Sequence, residues 1–463
     1  MKTHDKEKLA LQVIDMWLDY RSRLSTLPVP GFQICIRKKN RIVFSKAYGY
    51  ANLNTKRRQT TKDLYHIASH SKTFTSCALL QLAEEGKLNL HQPALDYLPQ
   101  LRHHKDKRFK QITIRDLLSH RSGIFRDGVD SDFFDLQKPF LSKEQLIQET
   151  LSSDLIFTPN ECSKYSNIGY SLLGLVIENA LGMPYQKAME SLVLKKLKGA
   201  HILTDYSDNS KELFVDGHSR SLWEGKRFPL KHAPALAIAP AGGVCANAED
   251  TSLFFETLLL GKGLLKKETQ KELLSLNWPV KNAHRERYGL GLQFEKFPDM
   301  ELVGHSGGYP GFATYTTHGI GTDYVISFFL NTNEAVPLKS ARSLIQIFNI
   351  INSTFTNDEA KQARVEGPLM SMWGSFLFVL TKKKGLRFSL GSWMPCKEAL
   401  LLASKNGEEF LCDKQDGYDS IGERITFKKD KDGNILSAKW GSGTYSLEKT
   451  FLEKFKKGLL LSS

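Results

Sequence analysis

The chain has 463 residues, 41% hydrophobic and 25% charged. That length allows two or three domains with full cores, and that composition excludes a disulfide miniprotein and a disordered chain. Lys+Arg exceed Asp+Glu by 64 − 50 = +14, with the densest run at 102–110; this is read as a solvated face, and no nucleic acid partner is expected.

The longest apolar stretches fall short of the roughly 18 residues that span a bilayer, so no transmembrane segment is expected. The charged start, Met1 to Lys8, carries no Sec-type signal, which predicts a cytoplasmic protein. Cys35, Cys77, Cys162, Cys245, Cys396 and Cys412 stand singly, as free thiols in a reducing compartment do.

Leu9, Val13, Met16, Trp17, Tyr20 and Leu24 recur at helical spacing and predict a helix over 5–24, stopped by Pro28 and Pro30. Phe32, Ile34 and Ile36, a turn at Lys38-Lys39-Asn40, and Ile42-Val43-Phe44 predict a β-hairpin. Ser69 opens a helix that carries Phe74, Ala78, Leu79 and Leu82 and ends at Gly86, a natural residue just past a helix end. A second helix follows Tyr165-Ser-Asn167 and runs through Glu178. Gly321 to Asn331 reads as a buried strand, and Ser340 to Asn352 as a last helix. Strands, helices, strands and helix in that order predict an α+β domain whose terminal elements share one sheet.

The polar stretch 357–365 is expected to be a linker, dividing a first domain, 1–356, from a small C-terminal β-domain, 366–463. In the latter Leu386, Phe388 and Leu390 alternate, and Asn406-Gly407 and Asp432-Gly433 suit two-residue hairpin turns in which both positions take positive φ. Trp393, Phe410, Tyr418 and Trp440 are expected in its core, and Phe451 to Leu461 as a closing helix.

The sharpest chemical signal is Ser69-His-Ser-Lys72. A hydroxyl at a helix start faces the positive end of the dipole, and a Lys three residues on shares its face. Desolvated, such a Lys could be neutral and accept the hydroxyl proton. The spacing alone also fits a capping Ser and an exposed Lys. His103 and His104 are expected on the surface, without a third metal ligand, and His120-Arg121 as a structural turn, with the alternative that one of the two borders the cleft.

Further along stand Phe157-Thr-Pro159, Tyr165-Ser-Asn167 and Gly304-His305-Ser-Gly307-Gly308-Tyr-Pro-Gly-Phe312, with landmarks at 112–123, 240–244 and 288–291. In these motifs the chain, from about Pro28 to Asn352, resembles the serine β-lactamase and penicillin-binding-protein-like hydrolases. It is most similar to the class C β-lactamase-related branch that includes esterases and D-amino-acid peptidases. The resemblance implies a β-lactamase/transpeptidase-like fold, an antiparallel sheet with a helical subdomain, here followed by a small antiparallel β-barrel-like domain. It further implies Ser69 as acylated nucleophile, Lys72 as base or proton relay, and Tyr165 as a second candidate base that protonates the leaving group. Asn167 would orient the substrate carbonyl, and the backbone N–H groups of Ser69 and Gly308 would form the oxyanion hole, with Gly307 and Gly308 admitting close approach. No cofactor or metal is implied.

Two positions depart from the family pattern. His305 stands where Lys is usual, so weaker recognition of substrate carboxylates is expected if its imidazole is neutral. Asn160 replaces a turn glycine and tolerates a left-handed conformation. The expectation is a serine hydrolase that acts through an acyl-enzyme on a small ester, amide or peptide substrate, with homo-oligomerisation left open. A D-Ala-D-Ala carboxypeptidase or β-lactamase proper, and a non-catalytic scaffold on the same fold, are the alternatives.

Overall fold

The structure is a computed structural model that describes residues 4–23, 29–128, 131–221, 226–280, 286–334, 336–396, 400–404, 408–412, 422–441 and 443–456. Contacts divide the chain into two compact units, Val29–Ala341 and Met1–Pro28 with Arg342–Ser463. These limits differ from the boundaries expected at 356 and 366: Met1–Pro28 and most of the helix Pro337–Thr354 fall with the C-terminal segment. Nor is 357–365 an irregular linker. Asn357–Gln362 is a helix, started by a capping box between Thr356 and Glu359, and the next strand begins at Arg364.

In the unit Val29–Ala341, the strand Gly31–Lys38 pairs on one side with Arg41–Asn52 and on the other with Tyr324–Leu330. The beginning and end of the unit thus meet in the middle of one antiparallel sheet, as the element order predicts. The hairpin turn places Lys39 at φ 51° and Asn40 at φ 62°, so it is tight without a glycine. Nine strands complete the sheet in the order 57–58, 41–52, 31–38, 324–330, 312–319, 300–309, 293–297, 286–289 and 277–279.

The helix His70–Glu84 is buried from His70 to Leu82, polar and apolar residues alike. It therefore runs through the core instead of over it. Phe74 stacks on Phe254, and each large side chain buried this way contributes about 1.5–3 kcal/mol. Gly86, at φ 68°, ends the helix as expected.

Landmarks along the chain dock on this helix. Thr75 Oγ1 donates to the carbonyl of Pro240 and Ser76 Oγ to that of Leu290. Gly174 lies where a Cβ would run into the Pro240 ring, so the helix Asn167–Leu181 packs closely there. His104 corrects an expectation: it is buried, stacked on Phe109, and Nε2 pairs with the carbonyl of Thr150 at 2.9 Å.

In the other unit, eight antiparallel strands between Arg364 and Leu447 close into a barrel. The helix His4–Arg23 belongs to this unit; Trp17 Nε1 donates to the carbonyl of Ser392 at 3.0 Å, and Arg21 lies over the Trp393 ring. Trp393, Phe410 and Trp440 are buried as expected. Tyr418 and Asn406-Gly407 lie outside the described residues. At Asp432-Gly433 the turn differs from expectation. Only Gly433 takes positive φ, and residues 430–434 form a longer loop in which the Asp430 carboxylate accepts the N–H groups of Asp432 and Asn434. The closing helix spans Glu448–Lys456. Among the described residues no helix is long and apolar enough to cross a membrane.

Candidate active site

Ser69 sits just before the first residue of the central helix, after Ala68 at φ 51°, a left-handed turn that a residue with a Cβ adopts at a cost of about 1–2 kcal/mol. Its side chain caps no backbone N–H. The hydroxyl is therefore available for chemistry in a place where a serine would ordinarily be spent on the helix end.

Lys72, one turn on, is fully buried. Its Nζ lies 3.2 Å from Ser69 Oγ, 2.7 Å from Asn167 Oδ1 and 2.7 Å from the carbonyl of Ala241. Three acceptors satisfy an ammonium. A neutral amine would donate to the two carbonyl oxygens and turn its lone pair to the hydroxyl of Ser69. Burial pushes the Lys72 pKa well below the usual lysine range, with the charge of Asp127 acting in the opposite sense. Ala241 explains the 240–244 landmark, whose role the sequence did not disclose.

Tyr165 is half-buried, its ring 4.6 Å from Lys72 Nζ. Burial raises its phenol pKa, while a hydrogen bond with Ser69 pulls the other way. Asn167 begins the helix Asn167–Leu181; Ser166 caps it by accepting the N–H of Gly169 at 2.8 Å. The Asn167 amide nitrogen donates to Asp127, whose other oxygen accepts from Arg126 Nε at 2.8 Å. This fixes the orientation of the amide with its oxygen on Lys72.

The strand Met300–Tyr309 separates its residues by the alternation of side chains across a sheet. Ser306 and Gly308 line a cavity of about 520 Å³ that also touches Ser69, Tyr165 and Asn167. His305 and Gly307 do not. At Gly307 a Cβ would run into the carbonyl of Ile67 and the hydroxyl of Thr314, so the close approach there is to the turn that leads into Ser69. At Gly308 a Cβ would meet nothing within 4 Å.

His305 corrects the expectation of a residue that faces the substrate. It is fully buried, with Nε2 3.0 Å from the Tyr288 hydroxyl and Nδ1 2.6 Å from the carbonyl of Ser306. Burial pushes its pKa well below 6.5, with Lys72 and His70 acting in the same direction. The imidazole is neutral as expected, but it works inside the wall.

Cations do line the cavity: Arg126 and Arg287, with Asp127, Glu286 and Glu295 as anions. Arg126 lies 5.3 Å from the Tyr165 ring centroid. Neither arginine carries a motif that would have marked it. His120, expected as a structural turn, also borders the cavity. Asn160 takes φ 70°, as its replacement of a glycine suggested. No group of three or more His, Cys, Asp or Glu among the described residues is placed to hold a metal.

A sheet with a helical region, and a serine and lysine at the start of its central helix, define the class to which such a cleft belongs: the β-lactamase/transpeptidase-like fold. The chain belongs to the Beta-lactamase family, whose profile matches residues 21–348. It is 28% identical over 322 residues to the protein flp of Staphylococcus aureus (strain MRSA252), covering 69% of this chain and 63% of that one. The chain thus spans less than two thirds of that relative's length.

Among solved structures, a D-stereospecific amidohydrolase from Streptomyces sp. superposes with a TM-score of 0.58 at 24% identity, covering 71% of this chain and 94% of the other. The octameric penicillin-binding protein homologue from Pyrococcus abyssi does so with a TM-score of 0.63 at 20% identity, over 95% of this chain and 99% of that one.

Proposed function

We propose that the protein is a serine hydrolase that cleaves an ester or amide through an acyl-enzyme on Ser69. The observation that carries this reading is the buried Lys72 Nζ, 3.2 Å from a hydroxyl that caps nothing. Ser69 Oγ attacks the substrate carbonyl carbon and its proton passes to neutral Lys72. The C–O or C–N bond breaks, and the leaving group takes a proton through Tyr165. Water then attacks the acyl-serine; its proton returns along the same groups and the acid departs.

The raised pKa of Tyr165 and the lowered one of Lys72 favour Lys72 as the acceptor and Tyr165 as the donor. The N–H groups of Ser69 and Gly308 serve the oxyanion, and Asn167 orients the carbonyl. An amidohydrolase and a penicillin-binding protein homologue share the fold, which accords with this chemistry.

A second reading, a D-Ala-D-Ala carboxypeptidase or β-lactamase, gains from one observation. The ground for weak carboxylate recognition was His305, which does not reach the cavity, whereas Arg126 and Arg287 do. Carboxylate-bearing substrates therefore belong in the assay beside neutral esters and D-amino-acid amides. A fluorophosphonate probe tests the shared claim: Ser69 Oγ bonds to phosphorus as fluoride leaves, so the wild type gains one adduct on Ser69. Lack of labelling there would favour a non-catalytic scaffold.

A further inference from the structure

The segment that carries Tyr165 has no regular secondary structure between Cys162 and Ser166, so something else must set the position of the phenol. Its N–H groups lead to the turn at His120. The N–H of Asn160 donates to the carbonyl of Arg121 at 2.8 Å and that of Lys164 to the carbonyl of His120 at 2.8 Å. The N–H of Ser166, next to Tyr165, donates to the His120 side chain, 3.1 Å to Nδ1.

The His120 ring lies 4.3 Å from that of Tyr165, 4.4 Å from that of Tyr288 and 5.0 Å from that of Tyr170, centroid to centroid. It is 2% exposed and sits at φ 58°, a strained conformation that persists only when the surroundings enforce it. Because Nδ1 accepts, the neutral ring carries its proton on Nε2, which is buried with no hydrogen-bond partner among the described residues. Burial keeps the imidazole neutral, and the nearby charge of Arg126 acts in the same sense. A proton on Nδ1 would oppose the Ser166 N–H and break the clamp.

We infer that His120 is a positioning residue for Tyr165: Nδ1 takes the N–H of Ser166 and the ring bears on the phenol, so the imidazole fixes where the Tyr165 hydroxyl stands beside Ser69. The inference rests on the reading of Ser69 as nucleophile, and it adds a residue that acts on the reaction through Tyr165. A side chain that merely filled space would be replaceable by any of similar size. One that acts through Nδ1 is replaceable only by an acceptor at that place. Asn can put its amide oxygen there and tolerates positive φ, whereas Gln carries its amide one bond farther out.

The test compares His120→Asn with His120→Gln in the full chain, with melting temperatures recorded and saturation kinetics of fluorophosphonate labelling at Ser69 as the readout. The expected result is a maximal labelling rate within about fivefold of wild type for Asn and about thirtyfold lower or more for Gln, with half-saturation changed less than about threefold in both. Equal maximal rates for Asn and Gln, or a loss confined to half-saturation, would overturn the inference while leaving Ser69 in place. If the Gln variant does not fold, His120→Ala takes its place with the same expectation. If that also fails to fold, the Asn variant decides alone, a loss beyond about thirtyfold counting against the inference. A wild type that is not labelled at Ser69 overturns the nucleophile assignment itself, and the inference with it.

Discussion

Lys72 Nζ lies 3.2 Å from Ser69 Oγ with its two remaining hydrogen-bond directions taken by Asn167 Oδ1 and the carbonyl of Ala241. In the proposed mechanism the amine, fixed in this way and buried, takes the proton of Ser69. The lowered pKa sets the sign of the pH dependence. Activity requires the neutral amine, so kcat/KM rises with pH as Lys72 loses its proton, with a midpoint well below the ordinary value of about 10.4. Lys72→Arg, which stays protonated, should lose at least about a thousandfold at every pH. A variant that keeps wild-type rates would remove Lys72 from the mechanism.

Ser69→Ala should abolish turnover and leave the melting temperature almost unchanged. A serine that caps a helix is worth about 1 kcal/mol, but this one makes no cap bond. The expected stability change is below about 0.5 kcal/mol, checked by thermal or urea unfolding.

Gly307 and Gly308 separate stability from function. In Gly307→Ala the methyl runs into Ile67 and Thr314, fixed by the turn before Ser69 and by the sheet, and a loss of about 3 kcal/mol or more is expected. In Gly308→Ala the methyl enters the cavity and meets no protein atom within 4 Å. Its melting temperature should match wild type, with kcat/KM at least about tenfold lower. Equal stability of the two variants would show the alternation of the strand to be misread.

His305→Lys would restore the residue usual in β-lactamases, and on sequence alone it should improve carboxylate substrates. The structure reverses this. An ammonium would replace a buried neutral imidazole bonded to Tyr288, at a cost of about 3–5 kcal/mol for an uncompensated buried charge. The expected outcome is a destabilised protein that is slower on neutral and anionic substrates alike. Arg126→Ala, by contrast, should lower kcat/KM for carboxylate-bearing substrates selectively, by about three- to tenfold for an exposed cation. Comparing p-nitrophenyl acetate with a D-Ala-D-Ala peptide on both variants checks these outcomes.

Much of this could be read along the chain, for identifiable reasons. Hydrophobic period placed the helix after Ser69 and the strands from the beginning and end of the unit Val29–Ala341, since a turn and a pleat leave their spacing in the sequence. Ser69, Lys72, Tyr165 and Asn167 came together because motif order reflects the fold that joins them. His305 was misassigned because the direction of a side chain from a strand depends on register, which a motif does not record. Arg126 and Asp127 were missed because they stand in a loop, where neither period nor spacing marks a residue, and His120 was read chiefly as part of a turn. The buried His104 was misread as surface from its basic neighbours, although Phe109 stacks on it. The helix at 357–362 is polar on most sides, so composition resembled a linker even though Thr356 and Glu359 carry a capping pattern.

The most direct measurement is intact-protein mass spectrometry after reaction with a fluorophosphonate, followed by peptide mapping, on wild type, Ser69→Ala and Lys72→Met. The account predicts one adduct per chain in the wild type, mapped to Ser69, none in Ser69→Ala, and labelling slowed by at least about a hundredfold in Lys72→Met with the protein still folded. Equal labelling of wild type and Ser69→Ala, or an adduct on another residue, would contradict it.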